Sequence, residues 1–95
     1  MRTIETTIRN PSGIHARPGA LFVRAAAGFG SKIMLENLDR GGAAVDAKSI
    51  LSVMQAAVGR GQTVRLTAEG DDEDAAIDAL VALIESGLGE AIPEG

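Results

Sequence analysis

Apolar and polar side chains alternate over residues 3–9, with Ile4, Thr6 and Ile8 on one side and Thr3, Glu5, Thr7 and Arg9 on the other. That period of two predicts a half-buried strand. Asn10-Pro11-Ser12-Gly13 then gathers turn formers, and Pro18 suits the first turn of a helix, where an N–H would lack a partner anyway. The helix is expected to run to about Ala27, with Gly28 and Gly30 as its stop. Beyond it, 32–38 reads as a second strand, Asp39-Arg40-Gly41-Gly42 as a hairpin turn and 43–45 as a short third strand. Asp46 offers an N-cap to a second helix over roughly 47–58, closed by Gly59 or Gly61. Alternation returns over 62–68, with Val64, Leu66 and Ala68 inward and Thr63, Arg65 and Thr67 outward. A last helix opens on the acidic turn Gly70-Asp71-Asp72-Glu73-Asp74, which the helix dipole favours. It carries Ile77, Leu80, Val81 and Ile84 at i, i+3, i+4 and i+7 and stops at Gly87. Residues 1–88 thus read as a single domain and 89–95 as a loose, flexible tail.

The order strand, helix, strand, strand, helix, strand, helix describes an α+β domain. Two of the strands are Thr-rich on one side, so the sheet is expected to leave that face to water and carry its helices on the other. Composition narrows the chemistry. Sixteen apolar residues are Ala, and Phe22 and Phe29 are the only aromatics, so the core is thin and aliphatic and base stacking is nearly excluded. A net charge of -4 has the wrong sign for holding phosphate backbones, which argues against nucleic acid. Without cysteine, and with one histidine, disulfides, thiolate metal sites and cysteine nucleophiles are absent, and no metal centre is expected. The opening Met1-Arg2-Thr3-Ile4-Glu5 has no apolar core of a signal peptide, and no stretch approaches 18 apolar residues, so neither secretion nor membrane insertion is expected. The expected location is cytoplasmic.

The informative segment is Ser12-Gly13-Ile14-His15-Ala16-Arg17-Pro18, which puts the one histidine at a strand-to-helix turn with an arginine two residues on. A histidine there combines a nucleophilic ring nitrogen with helix N-terminal amides able to receive an anion and a guanidinium able to fork onto it. The chemistry this points to is phosphoryl chemistry. On spacing alone, a solvated surface histidine or a helix N-cap accounts for the same residue.

Gly13-Ile14-His15-Ala16-Arg17-Pro18 resembles the active-site signature of the HPr family, the histidine phosphocarriers of the bacterial phosphoenolpyruvate:sugar phosphotransferase system. The resemblance extends from residue 2 to about 89. It includes Ala47-Lys48-Ser49-Ile50-Leu51-Ser52-Val53-Met54, similar to the family's second motif, and Ala68-Glu69-Gly70-Asp71-Asp72-Glu73, similar to its last strand-to-helix turn. It implies an open-faced sandwich, βαββαβα, with a four-stranded antiparallel sheet and three helices on one face. It implies a stoichiometric carrier that needs no cofactor and is not an enzyme. His15 would accept a phosphoryl group through Nδ1 from phosphorylated Enzyme I and donate it to EIIA proteins or domains for sugar uptake. Arg17, with the backbone amides of Ala16 and Arg17, would neutralise the phosphate. A monomer is expected.

The resemblance assigns partner docking to the first two helices. The second is apolar at Ile50, Leu51, Val53, Met54, Ala56, Ala57 and Val58, more than one helical face can bury. Ile50, Leu51 and Met54 are therefore expected to be exposed and, with Ala20, Arg24 and Lys48, to meet partners; a core helix with a wide stripe is the other reading. Ser49 matches the serine that an HPr kinase/phosphorylase modifies in many Gram-positive members, where the product engages a catabolite regulator. It also reads as an ordinary first-turn serine. Three departures stand out. Gly19 replaces a usual Ala and is expected to loosen its helix by about 1 kcal/mol. The 39–42 hairpin is longer than usual, and Ala27 and Ser52 stand where enteric members have lysine. Two rival readings are an acylphosphatase-like enzyme, which would release phosphate catalytically, and, as runner-up, a purely regulatory HPr-like protein: such proteins replace the histidine, yet a chain can hold it and serve a nitrogen-type or dihydroxyacetone-type branch.

Overall fold

The alternating stretch Thr63–Glu69 becomes the strand around which the sheet is built. Val64, Leu66 and Ala68 are wholly buried, whereas Thr63, Arg65 and Thr67 keep contact with water. The computed structural model describes residues 1–93, and among these the order is β1 (Arg2–Thr7), α1 (Ala16–Ala27), β2 (Lys32–Asn37), β3 (Val45–Asp46), α2 (Ile50–Gln55), β4 (Thr63–Glu69) and α3 (Glu73–Glu85). The strands lie antiparallel in the order β1-β4-β2-β3, with Leu66 opposite Ile4 on one side and Leu35 on the other. The three helices cover one face, giving the open-faced sandwich. Beneath them Ile8, Ile14, Phe22, Ile33, Leu35, Val53, Ile77, Leu80, Ile84 and Leu88 form the core. The bare face is held by polar pairs across strands: Thr3 with Thr67, Thr7 with Thr63, and Arg65 bridging Glu5 at 3.0 Å and Glu36 at 3.3 Å.

Several expected boundaries move, each for a local reason. Asp46 is no helix cap. It ends β3, and pairing with β2 runs one residue further, because the N–H of buried Ala47 donates to the Ile33 carbonyl at 3.0 Å. The cap passes to Ser49, whose Oγ accepts the Ser52 N–H at 3.3 Å, so α2 is six residues rather than the twelve of 47–58. Ala57, at φ 53, turns the chain out of α2 before either glycine is reached. Gly28 does follow α1, yet in a right-handed conformation (φ -74); the helix closes through N–H groups of Gly28 and Phe29 on the carbonyls of Ala25 and Ala26. Asp72 precedes α3 without capping it. Its carboxylate crosses to the loop before β2, accepting Gly30 N–H at 2.8 Å, Ser31 N–H at 2.9 Å and the Ser31 hydroxyl. These bonds hold the Asp72 carboxyl below its ordinary value.

The chain end departs most from expectation. Gly87, Leu88 and Gly89 take three successive positive φ angles of 97, 51 and 84, a tight hook in which Leu88 is buried and Glu90 N–H donates to the Gly87 carbonyl at 2.9 Å. Residue 90 is therefore tied into the domain rather than loose, and 94 and 95 lie outside the described residues.

Candidate functional site

Residues 10–14 carry the chain from β1 to α1 by a turn closed by Gly13 N–H on the Asn10 carbonyl. Gly13 sits at φ 65, and a Cβ there would overlap the Val58 carbonyl oxygen and lie 2.9 Å from Gly59 Cα. Only glycine lets the loop come so near. Ile14 follows, fully buried, with its N–H on Val58 O at 3.0 Å. The loop is thus fastened beneath the residue that comes next.

That residue is His15, the extended N-cap of α1 (φ -129, ψ 166), half-buried and with its side chain making no capping hydrogen bond. Its carbonyl accepts the Gly19 N–H at 3.1 Å, the first bond of the helix. The amides of Ala16 and Arg17 precede that bond, and Pro18 has none to offer, so among the described residues the helix opens with unclaimed donors next to His15. Ala16 stands at φ 50, a left-handed conformation that costs a residue with a side chain about 1–3 kcal/mol. It is held there by the bonds on either side, at Ile14 and Gly19. Arg17 is exposed and, with Ala16, Ala20, Leu21, Arg24 and Gly89, lines an open cleft of about 650 Å³. Chemically, the arrangement offers a half-buried imidazole, two amides and the exposed Arg17 side chain to an anion, with an open cleft alongside.

The other sequence-predicted residues divide. Ala20 and Arg24 are exposed on α1, and Ile50 and Leu51 are 45% and 67% exposed on α2. Met54 corrects the expectation: it is half-buried, its Cε lying 2.8 Å from where a Cβ on Gly19 would be, so Gly19 makes room for it. Lys48 is also half-buried, its ammonium donating to the Phe29 carbonyl at 2.7 Å and tying the approach to α2 to the segment after α1. Val53 is core while Ile50 and Leu51 are exposed, so α2 is only partly buried.

One part of the site was invisible to sequence reasoning. Glu90 reaches the loop before His15: Oε1 accepts Asn10 Nδ2 and Ser12 N–H, each at 2.9 Å, and Oε2 accepts the Ser12 hydroxyl at 2.7 Å. Led by the bond from Asn10, these contacts hold the Glu90 carboxyl below its ordinary value. The paired glycines at 87 and 89 signal a turn, but nothing local says where Glu90 will land.

A family model described as PTS HPr component phosphorylation site matches residues 2–86. The chain is 46% identical to phosphocarrier protein HPr of Cupriavidus necator over 86 residues, 90% of this chain and 93% of that protein. It is also 46% identical over 83 residues to the multiphosphoryl transfer protein of Vibrio cholerae, covering 87% of this chain but only 21% of that much longer protein. Among solved structures it is similar to HPr-C-His from Thermoanaerobacter tengcongensis, with a TM-score of 0.90 at 48% identity over 97% of this chain and all of the other. The acylphosphatase-like reading falls away, and the chain belongs to the HPr family of phosphocarrier proteins of the phosphotransferase system.

Proposed function

We propose that His15 carries the phosphoryl group, taking it from phosphorylated Enzyme I and passing it to EIIA proteins or domains. The observation that carries this reading is the uncapped imidazole at the mouth of α1, beside the free amides of Ala16 and Arg17 and the exposed Arg17 side chain. On acceptance the lone pair of Nδ1 attacks phosphorus, a P–N bond forms, and the donor's bond to phosphorus breaks with its electron pair staying on the donor. On donation a nucleophile of the next acceptor attacks phosphorus and the P–N bond breaks, its electron pair returning to Nδ1. Arg17 and the two amides offset charge on the phosphoryl oxygens as they pass. The open cleft that begins at Ala16 and Arg17, next to His15, suits this task, because donor and acceptor must approach the same nitrogen in turn. All these residues come from one chain, so a monomer suffices, and these partners put its work in the cytoplasm.

Docking falls to Ala20 and Arg24 on α1 and to Ile50 and Leu51 on α2, with Met54 and Lys48 at the edge. A phosphate on Ser49 would add about -1.5 to -2 charge beside that apolar pair, repelling an acidic partner while leaving the core untouched. The test is incubation with phosphoenolpyruvate and Enzyme I from the same cell. One acid-labile phosphoryl mass is expected on the wild type and none on His15→Ala; a label surviving in His15→Ala overturns the assignment.

A further inference from the structure

The match to the family model ends at residue 86, four residues before a side chain that grips the loop carrying His15. The geometry points to Glu90 as a positioning residue for phosphoryl transfer: by holding Asn10 and Ser12 it fixes the segment that presents His15. This rests on the reading of His15 as the phosphoryl carrier.

The loop is pinned at two places. On one side Ile14 N–H is bound to Val58 O; on the other, Glu90 takes three donors from Asn10 and Ser12. Asn10 is fully buried, and its Nδ2 also donates to the Gly13 carbonyl at 2.9 Å, so its amide orientation adds a second bond across the turn. That orientation leaves Asn10 Oδ1 buried with no hydrogen-bond partner among the described residues. An orphaned acceptor favours rotation of the amide, and rotation would forfeit the bond to Gly13. Glu90 supplies the opposing pull, since a carboxylate accepts and cannot donate. Its own place is set by the hook at 87–89: a Cβ on Gly87 would overlap the Glu90 carbonyl oxygen, and one on Gly89 would lie 2.9 Å from Leu21 Cδ1 of α1. Ser12 is exposed, so water can replace Glu90 as partner to its amide and hydroxyl. Losing Glu90 should therefore cost positional accuracy more than stability.

Transfer needs the attacking nitrogen in line with phosphorus, and a misplacement of about 1 Å can cost about a hundredfold in rate. A loop that keeps its anchor at Val58 should lose part of that, about tenfold in kcat. Docking through α1 and α2 should be unchanged.

The experiment measures kcat and KM for phosphoryl acceptance by the full chain from phosphoenolpyruvate and Enzyme I, for wild type, Glu90→Ala, Glu90→Gln and Ser12→Ala, beside melting curves. Phosphoramidate, which phosphorylates imidazole without a protein partner, reports the intrinsic reactivity of His15. Glu90→Ala is expected to lower kcat about tenfold with KM within about twofold and phosphoramidate labelling unchanged. Glu90→Gln, whose carbonyl oxygen still accepts from Ser12, should recover part of the loss. An unchanged kcat overturns the inference, and so does a rise in KM alone, which would make Glu90 part of the docking surface. Should Glu90→Ala melt below the assay temperature, Ser12→Ala decides: it leaves the hook intact and must lower kcat without moving the melting point. A wild type that takes no label from Enzyme I sinks the carrier reading itself, with no variant needed, and the inference falls with it.

Discussion

Gly13→Ala tests whether close backbone approach holds the loop under His15. At φ 65 an alanine pays the left-handed penalty of about 1–2 kcal/mol. Its Cβ would also overlap the Val58 carbonyl oxygen and press on Gly59 Cα at 2.9 Å. These are backbone atoms that cannot swing aside as a side-chain tip can. The simplest relief is to push the loop away from Val58, which lengthens or breaks the bond from Ile14 N–H at a cost of about 0.5–1.5 kcal/mol. Together these give about 1.5–3.5 kcal/mol, which for a domain of this size lowers the melting temperature by about 6–28 °C. Circular dichroism at 222 nm through a thermal ramp measures it. Gly13→Asn separates the two causes, because asparagine tolerates positive φ but still carries a Cβ; it should recover only about 1 kcal/mol of the loss. A melting point within about 4 °C of wild type for Gly13→Ala, or full recovery by Gly13→Asn, would refute the steric half of the argument.

Three further outcomes are expected. The carboxyls of Asp72, Glu73 and Glu90 are held below their ordinary values of 3.8, 4.5 and 4.5, the first by the Ser31 hydroxyl and the amides of Gly30 and Ser31, the second by the chain's amino terminus and Gly70 N–H, the third by Asn10 and Ser12. Each lowered value adds stability that is full above the ordinary value and vanishes as pH falls through the lowered one, so the urea midpoint should fall as pH drops below about 4.5, less steeply in Asp72→Asn. Gly19→Ala gains helix propensity worth about 1 kcal/mol while displacing the flexible end of Met54 and pressing on the Ile14 carbonyl oxygen at 3.2 Å, so its melting point should stay level or rise; a fall of more than about 4 °C would show that Met54 or the Ile14 backbone cannot give. Arg17→Ala should slow transfer by about tenfold or more at unchanged stability, since the side chain is exposed and acts on passing charge; equal rates in both directions of transfer would remove its role.

Much of this architecture is legible along the chain because β1, β4 and α3 are long enough for their periods to be unmistakable. Val64, Leu66 and Ala68, and Ile77, Leu80 and Ile84, point where their spacing says. The segment 43–58 is harder for a physical reason. Asp46 is as good an N-cap by type as Ser49, and the choice is made by a distant partner, the Ile33 carbonyl, which draws Ala47 into the sheet's hydrogen bonding. Ala57 ends α2 in a conformation that residue type argues against, so the glycines at 59 and 61 misled. His15 and Arg17 stand out in the sequence because the core of the candidate site is contiguous. Glu90 does not, because its partner Ser12 is 78 residues away and no local preference encodes the meeting.

That division has a mechanical consequence for the carrier. The aliphatic core stops at Ile14 and Leu88, and above it the site is assembled from backbone and polar contacts of four segments: the 10–14 loop, the opening of α1, the Val58–Gly59 turn and the 87–90 hook. A phosphoryl carrier cannot bury its nucleophile, since two partners must touch the same nitrogen, so apolar packing cannot be what orients it. Hydrogen bonds and tight turns can, and they leave the surface open. They are also individually worth about 1 kcal/mol, small beside the stability of a whole domain. Substitutions in this layer that leave glycine geometry alone should therefore alter how fast the group moves long before they alter whether the chain folds. Substitutions at Gly13, where loop and core backbone meet, should do both.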